Sequence, residues 1–247
     1  MKKLSFITGI LVCLTVFFAA LGAVCGTIDQ MATDAHFYGD MSRAAAAKYL
    51  NAQNDPQAEE KITAYIGLTA DEQTAFAGEM AAFMAGETDV QPEILNEKEQ
   101  QHMLDVRDLT QSAAGMSKTY LTIAVILAMV SAWTGARLTR RVKPMLVGAL
   151  AAVSVIMLIV VNVMNQVTAG GFENLFVQMH EMIFTNDLWL MDPATDILIR
   201  MMPQPLFEQA LLNGANQALR MMLIVCVMLI AVEESVSRMI RRHLKKD

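Results

Sequence analysis

Residues 120–163 read YLTIAVILAMVSAWTGARLTRRVKPMLVGALAAVSVIMLIVVNV, two apolar runs separated by a short cationic link. The runs cover 120–136 and 145–163, each near the roughly 20 residues with which a helix crosses a hydrocarbon core. Arg137, Arg140, Arg141 and Lys143 fill the link. Lys and Arg beside a span resist translocation far more than acids do, so this link is expected in the cytoplasm. Working outward, residues 4–24 and 218–232 form two further apolar runs. Lys2 and Lys3 precede the first, while Arg238, Arg241, Arg242, Lys245 and Lys246 follow the last. With four crossings, all three cationic clusters fall on one side. The loop 27–117 instead carries five Lys/Arg against sixteen Asp/Glu, and 166–216 carries one Arg against six acids. The expected fold class is therefore all-α, a four-transmembrane-helix membrane protein with helical extracytoplasmic loops and both termini cytoplasmic.

The composition agrees, with 54% hydrophobic residues against about 45–50% in an average soluble domain. The net charge of −6 belongs to the outer loops and argues against a nucleic-acid partner. The expected organisation is a first transmembrane helix at 1–25, an extracytoplasmic helical loop at 26–116, and a second span at 117–137. A cytoplasmic link follows at 138–144, then a third span at 145–165, interfacial helices at 166–216, a fourth span at 217–236 and a basic tail at 237–247. Lys2-Lys3, an apolar run and small residues at 19–26 are also the pattern of a cleaved signal peptide, but the run is long for one and favours a retained anchor. Leu21-Gly-Ala-Val-Cys25 fits a lipid-attachment box badly, and Cys25 reads as a buried thiol. Cys13 and Cys226 fall inside spans, so no disulfide framework is expected.

The first loop reads as a helical layer. An Ala-rich stretch at 35–53 is broken by Asn54-Asp55-Pro56, and a second helical stretch follows. Thr69 caps a helix bearing the stripe Phe76, Met80, Phe83 and Met84, ended by Gly86. Past Gln91-Pro92 a third helix, about 96–112, is expected to run up to the second span. In the second loop Gly170-Gly171 opens a helix over about 172–185, and Asp192-Pro193 has the chemistry of another helix start, terminated by Pro203 and Pro205. Residues 206–212 add a last turn or two before Asn213-Gly214. Phe172, Phe176, Phe184, Trp189 and Phe207 suit the headgroup level of a membrane. Glu233 and Glu234 are expected to pair with the basic tail.

Two histidines have suggestive neighbours. Helical spacing puts Glu99 and Asp105 one turn either side of His102, where either carboxylate can fix its tautomer, although a charged helix surface that includes a histidine reads the same way. His180 lies between Phe176 and Phe184, and partial desolvation there favours a neutral, basic imidazole; a histidine satisfied by one hydrogen bond is the plainer alternative. His180-Glu181 begins like a zincin helix, but position 184 is Phe and the motif is absent. Glu99-x-x-His102 has half of a di-iron spacing without a second copy. A zinc on His102, His180 and a carboxylate has little support, so neither metal nor cofactor is expected.

Taken together, Glu99-x-x-His102-Met-x-Asp105-Val106-Arg107 and Phe176-x-x-x-His180-Glu181-x-x-Phe184-x-Asn186-x-x-Trp189 resemble the bacterial lipoprotein intramolecular transacylases. The second motif continues as Pro193-x-x-Asp196-x-Leu198-Ile199-x-x-x-Pro203-x-x-x-Phe207, and the four-span layout matches too. The resemblance implies an enzyme of the bacterial cell membrane, with its site at the extracytoplasmic face and a diacylglyceryl lipoprotein as substrate among membrane lipid. It further implies transfer of the glycerol 2-acyl chain to the α-amino group of the same cysteine, giving a lyso-lipoprotein. His180 is then expected as base and His102 as its partner, with Glu99 or Asp105 holding His102, and the roles of the two histidines are exchangeable. Asn186, Arg200 or Arg220 would serve the oxyanion, and Trp189 the substrate. The alternatives are a non-enzymatic envelope binding or scaffolding protein with structural histidines, and a membrane hydrolase releasing the acyl chain to water.

Overall fold

The computed structural model of the chain describes residues 2–136, 144–166 and 171–243. The cationic link 137–143, Gly170 and the end of the basic tail with Lys245 and Lys246 lie outside the described residues. Within them all regular structure is helical: α1 (Lys2–Ala32), a π-helical turn (Phe37–Met41), α2 (Ser42–Tyr49), α3 (Ala58–Ile66), α4 (Ala70–Ala85), α5 (Glu97–Ala136), α6 (Pro144–Gln166), α7 (Phe172–Ile183), α8 (Ile197–Met201) and α9 (Gln204–His243). The chain divides into two units, one of residues 1–26, 115–164 and 214–247, the other of residues 27–114 and 165–213.

The first unit has the character of a multi-pass membrane protein. Helices α1, α5 and α9 are long and apolar enough to cross a bilayer, and α6 carries a shorter apolar stretch, Val147–Asn162. Its interior is built from small and medium side chains: Val12, Val16 and Ala20 of α1, Ala149, Ala152 and Ile156 of α6, and Ala218, Met222, Cys226 and Leu229 of α9. The outer faces carry Val125, Trp133, Leu158 and Val227, each more than half exposed. An apolar exterior over small interior residues is the pattern that hydrocarbon surroundings select. Hydroxyls in this unit are satisfied locally, as an apolar medium demands: Ser117 donates to the Gly22 carbonyl at 2.8 Å, and the Thr8 and Thr134 hydroxyls meet at 2.9 Å. Gly148 packs against the α1 backbone so closely that a Cβ there would sit 2.3 Å from the Gly9 carbonyl oxygen.

The second unit has a conventional core. Phe76, Met80, Phe83 and Met84 of α4 are buried with Tyr38, Ile62, Ile66, Met103, Leu198, Met201 and Leu206. Thr69 and Glu72 form a reciprocal capping box at the start of α4, and Gly86 closes it with a left-handed φ of 75°. At the start of α5 the Glu99 main-chain N–H donates to Asn96 Oδ1 at 3.0 Å and Asn96 N–H to Glu99 Oε2 at 2.9 Å. Glu99 Oε1 accepts the Leu198 N–H at 2.6 Å. This carboxylate, 1% exposed, ties the first turn of α5 to that of α8 by satisfying helix N–H groups that have no partner within their own helices.

Three boundaries differ from the sequence expectation. The helix expected at Asp192-Pro193 starts at Ile197 with Asp196 as its N-cap, because Asp196 folds back to accept the Asp192 N–H at 2.8 Å and the Thr195 hydroxyl at 3.0 Å. Pro205 terminates nothing: it stands in the first turn of α9, where a missing N–H costs no hydrogen bond. The expected stop at Asn213-Gly214 is absent, and α9 runs unbroken to His243. One helical glycine costs about 1 kcal/mol, a penalty the packing of a 40-residue helix outweighs. Glu234 does pair with Arg238, at 3.6 Å.

Gly148→Ala is expected to lower the apparent melting temperature of the detergent-solubilised protein, in line with the ~1–3 kcal/mol typical of overpacking. Gly115→Ala, whose Cβ meets nothing within 4 Å, should leave it unchanged or raise it. Glu99→Ala strands two main-chain donors and should cost on the order of 2–5 kcal/mol. Hydrogen exchange at the Leu198 amide checks the mechanism, which fails if that amide stays as protected as in the parent protein.

Candidate active site

His102 and His180 come together within the second unit, their ring centroids 6.3 Å apart. His102 lies on α5 one turn beyond Glu99, so the clamp on Glu99 sets where its imidazole stands. His180 occupies the last turn of α7 and is 7% exposed, as is His102.

The tautomer of His180 follows from its own helix. Nδ1 lies 2.8 Å from the Phe176 carbonyl oxygen, and a neutral imidazole meets a carbonyl only by donating Nδ1–H. Nε2 is then left with its lone pair as the basic atom. Around it stand Phe176, Trp189 and Phe184 with ring centroids 4.0, 5.0 and 5.6 Å from that of His180. Phe184 also packs edge-on to His102 at 5.2 Å, and Phe207 backs Phe176. Burial among these rings pushes the His180 pKa below its usual 6.5, with the Phe176 carbonyl pulling the other way. His102 is pushed down to about 4, first by burial and then by His180, against an upward pull from Asp105 and a further downward push from Lys98. Both imidazoles are neutral at pH 7.

The carboxylates sit differently from the sequence expectation. Neither Glu99 nor Asp105 hydrogen-bonds His102, whose Nδ1 is buried without a partner. Both Glu99 oxygens accept main-chain N–H groups. Asp105 Oδ2 accepts from Asn186 Nδ2 at 2.9 Å, so its influence on His102 acts through space. Trp189 packs against His180, and Asn186 is tied to Asp105. Arg200 turns to α3: its Nη1 approaches the position a Cβ of Gly67 would take, to 3.3 Å, at the C-terminus of that helix, where a guanidinium suits the helix dipole. Arg220 belongs to α9 in the other unit. Among the described residues no three His, Cys, Asp or Glu side chains gather as a metal ion requires.

Asp196, which the second motif includes without a role, braces the loop beside the site. Burial pushes its carboxyl pKa up, but hydrogen bonds from the Asp192 N–H, Thr195, Asn96 and Lys98 outweigh that and hold it below the ordinary carboxylate value. Asn96 Nδ2 reaches Oδ1 at 3.0 Å and Lys98 Nζ reaches Oδ2 at 3.4 Å. Lys98 also donates to the Leu190 carbonyl, so the loop carrying Trp189 is fastened to the helix carrying His102. The one trace of this in the sequence is Asn96 three residues before Glu99, the spacing of a capping box.

The family model for the lipoprotein intramolecular transacylase Lit matches residues 10–207. In meso structures of the membrane-integral lipoprotein intramolecular transacylase from Bacillus cereus have the same fold. One superposes with a TM-score of 0.61 at 17% identity, covering 98% of this chain and 100% of that one. A form with a histidine-to-arginine substitution gives 0.58 at 17% identity over 98% and 96%, and a histidine-to-alanine form 0.57 at 18% over 96% of each chain. None of the curated proteins matches. Because the family match runs through both histidine segments, the chain belongs to the lipoprotein intramolecular transacylase family.

Proposed function

We propose that this protein moves the glycerol 2-acyl chain of a diacylglyceryl-cysteine lipoprotein to the α-amino group of the same cysteine, leaving a lyso-lipoprotein. The observation that carries the reading is the Nδ1–H tautomer of His180, which leaves Nε2 as the basic atom of a ring packed among aromatic side chains and near a second neutral imidazole. In this reading α1, α5, α6 and α9 cross the bacterial cell membrane, both termini are cytoplasmic, and the histidine pair works at the extracytoplasmic face among membrane lipid.

Amine and ester belong to one substrate, so positioning supplies much of the acceleration and no serine or cysteine nucleophile is needed. The amine nitrogen attacks the ester carbonyl and the N–C bond forms, while His180 Nε2 takes a proton from that nitrogen. His102 offers a ring N–H to the glycerol oxygen. As the C–O bond breaks, that oxygen takes the His102 proton, and the proton held on His180 returns to the His102 ring. Asn186 supports the reading as a polar group for the tetrahedral oxyanion. A membrane hydrolase would send the same acyl chain to water, and a scaffolding protein would leave the lipoprotein unaltered.

Mass spectrometry of the N-terminal peptide of a lipoprotein, from cells making this chain or its variants, decides among these. An N-acyl lyso peptide is expected with the intact chain, and a loss of about 10²-fold or more with His180→Ala or His102→Ala, the scale of general acid–base catalysis. Conversion that persists in a membrane-inserted His180→Ala protein would refute the assignment, and free fatty acid as product would favour the hydrolase. Titration of the substrate-free protein carries a separate test. Burial lowers the His180 pKa, so its imidazole followed by NMR should change protonation below pH 6.5; a midpoint at or above 6.5 contradicts a desolvated His180.

A further inference from the structure

The charges around the histidine pair do not balance. On α5, Lys98 is committed to Asp196 and the Leu190 carbonyl, and Arg107 is paired with Asp89 at 3.0 Å and lies over the Phe83 ring. Glu99 is saturated by main-chain N–H groups. Asp105, one turn from His102, retains a carboxylate whose Oδ2 is held by the neutral Asn186 amide and whose Oδ1 has no hydrogen-bond partner among the described residues. No cation among the described residues neutralises it. Beside it the His102 ring, more than nine-tenths buried, keeps an unpartnered Nδ1. A carboxylate with one oxygen unfilled and no cationic partner accepts a cationic hydrogen-bond donor.

From this placement we infer that Asp105, held by Asn186, is a primary-ammonium site that captures the α-ammonium group of the substrate cysteine, which gives one proton to water before the amine attacks and its second to His180. The inference rests on the transacylase reading for its choice of ligand and adds a specificity: a lipoprotein whose N-terminus is already acylated lacks the charge and is rejected. Phosphatidylethanolamine carries the same primary ammonium, so the two sources need separating.

The full chain in phosphatidylglycerol vesicles is titrated with a peptide bearing an S-dialkylglyceryl cysteine, ether-linked so that it cannot react, and with its N-acetyl counterpart. The free-amine peptide should bind about tenfold tighter or better, the worth of a charge-assisted hydrogen bond. Asp105→Asn should collapse that ratio toward one without weakening the N-acetyl peptide, and Asp105→Glu should restore part of it. An unchanged ratio in Asp105→Asn overturns the inference. So does displacement of the free-amine peptide by phosphatidylethanolamine vesicles at matched lipid, because the site is then a headgroup receptor. Failure of the transacylase reading looks different: the ratio behaves as described, yet the ester-linked peptide yields no N-acyl product.

Discussion

The site depends on one buried carboxylate that takes no part in the proposed proton transfers. Glu99 joins two helix starts by accepting the Asn96 and Leu198 N–H groups. Helix N-termini are costly to bury because their first amides lack partners, and a single side chain meets that need for α5 and α8 together. His102 follows one turn later on α5, and the turn at 192–196 leads directly into α8. With Asp196 and Lys98 added, the loop bearing Trp189 and the helix bearing His102 become one rigid frame. Preorganisation of this kind lets two weak neutral groups act in concert.

The two units follow opposite packing rules. In the bundle of α1, α5, α6 and α9 many large apolar side chains face out while small and medium ones fill the interior, and the backbones approach closely, as at Gly148. In the second unit Phe76, Phe83 and the buried methionines face in, where exclusion of water provides the drive. Helices α1, α5 and α9 contribute residues to both units, so a single helix changes from one rule to the other along its length.

Much of this is legible from the sequence because it depends on local pattern. The stripe Phe76–Met80–Phe83–Met84, the Thr69 cap and the Gly86 stop are fixed by helical spacing and by the chemistry of the residues themselves. The pairing of His102 with His180 is legible through the family resemblance, since their separation in the chain gives no spacing to read. The true partners of the carboxylates are not legible, because a one-turn offset places Glu99 near His102 but says nothing of the Leu198 amide arriving from another helix. Asp192 and Pro193 look like a helix start in isolation, but the Asp192 N–H is drawn to the Asp196 carboxylate, which Asn96 and Lys98 hold from the start of α5. Asn213-Gly214 misleads for a related reason, since local propensity yields to the packing of a long helix.

The bond from His180 to the Phe176 carbonyl lies entirely inside α7. The tautomer of His180 is thus independent of every other element, unlike that of a histidine aligned by a carboxylate on a distant strand or loop. Both rings are buried, so the proposed substrate, a bulky diacylglyceryl cysteine, reaches them only where the packing around them parts. Should α7 swing aside as a unit, the imidazole would travel with its proton already assigned, and on reclosing the site would need only to regain position, with no rearrangement of protons.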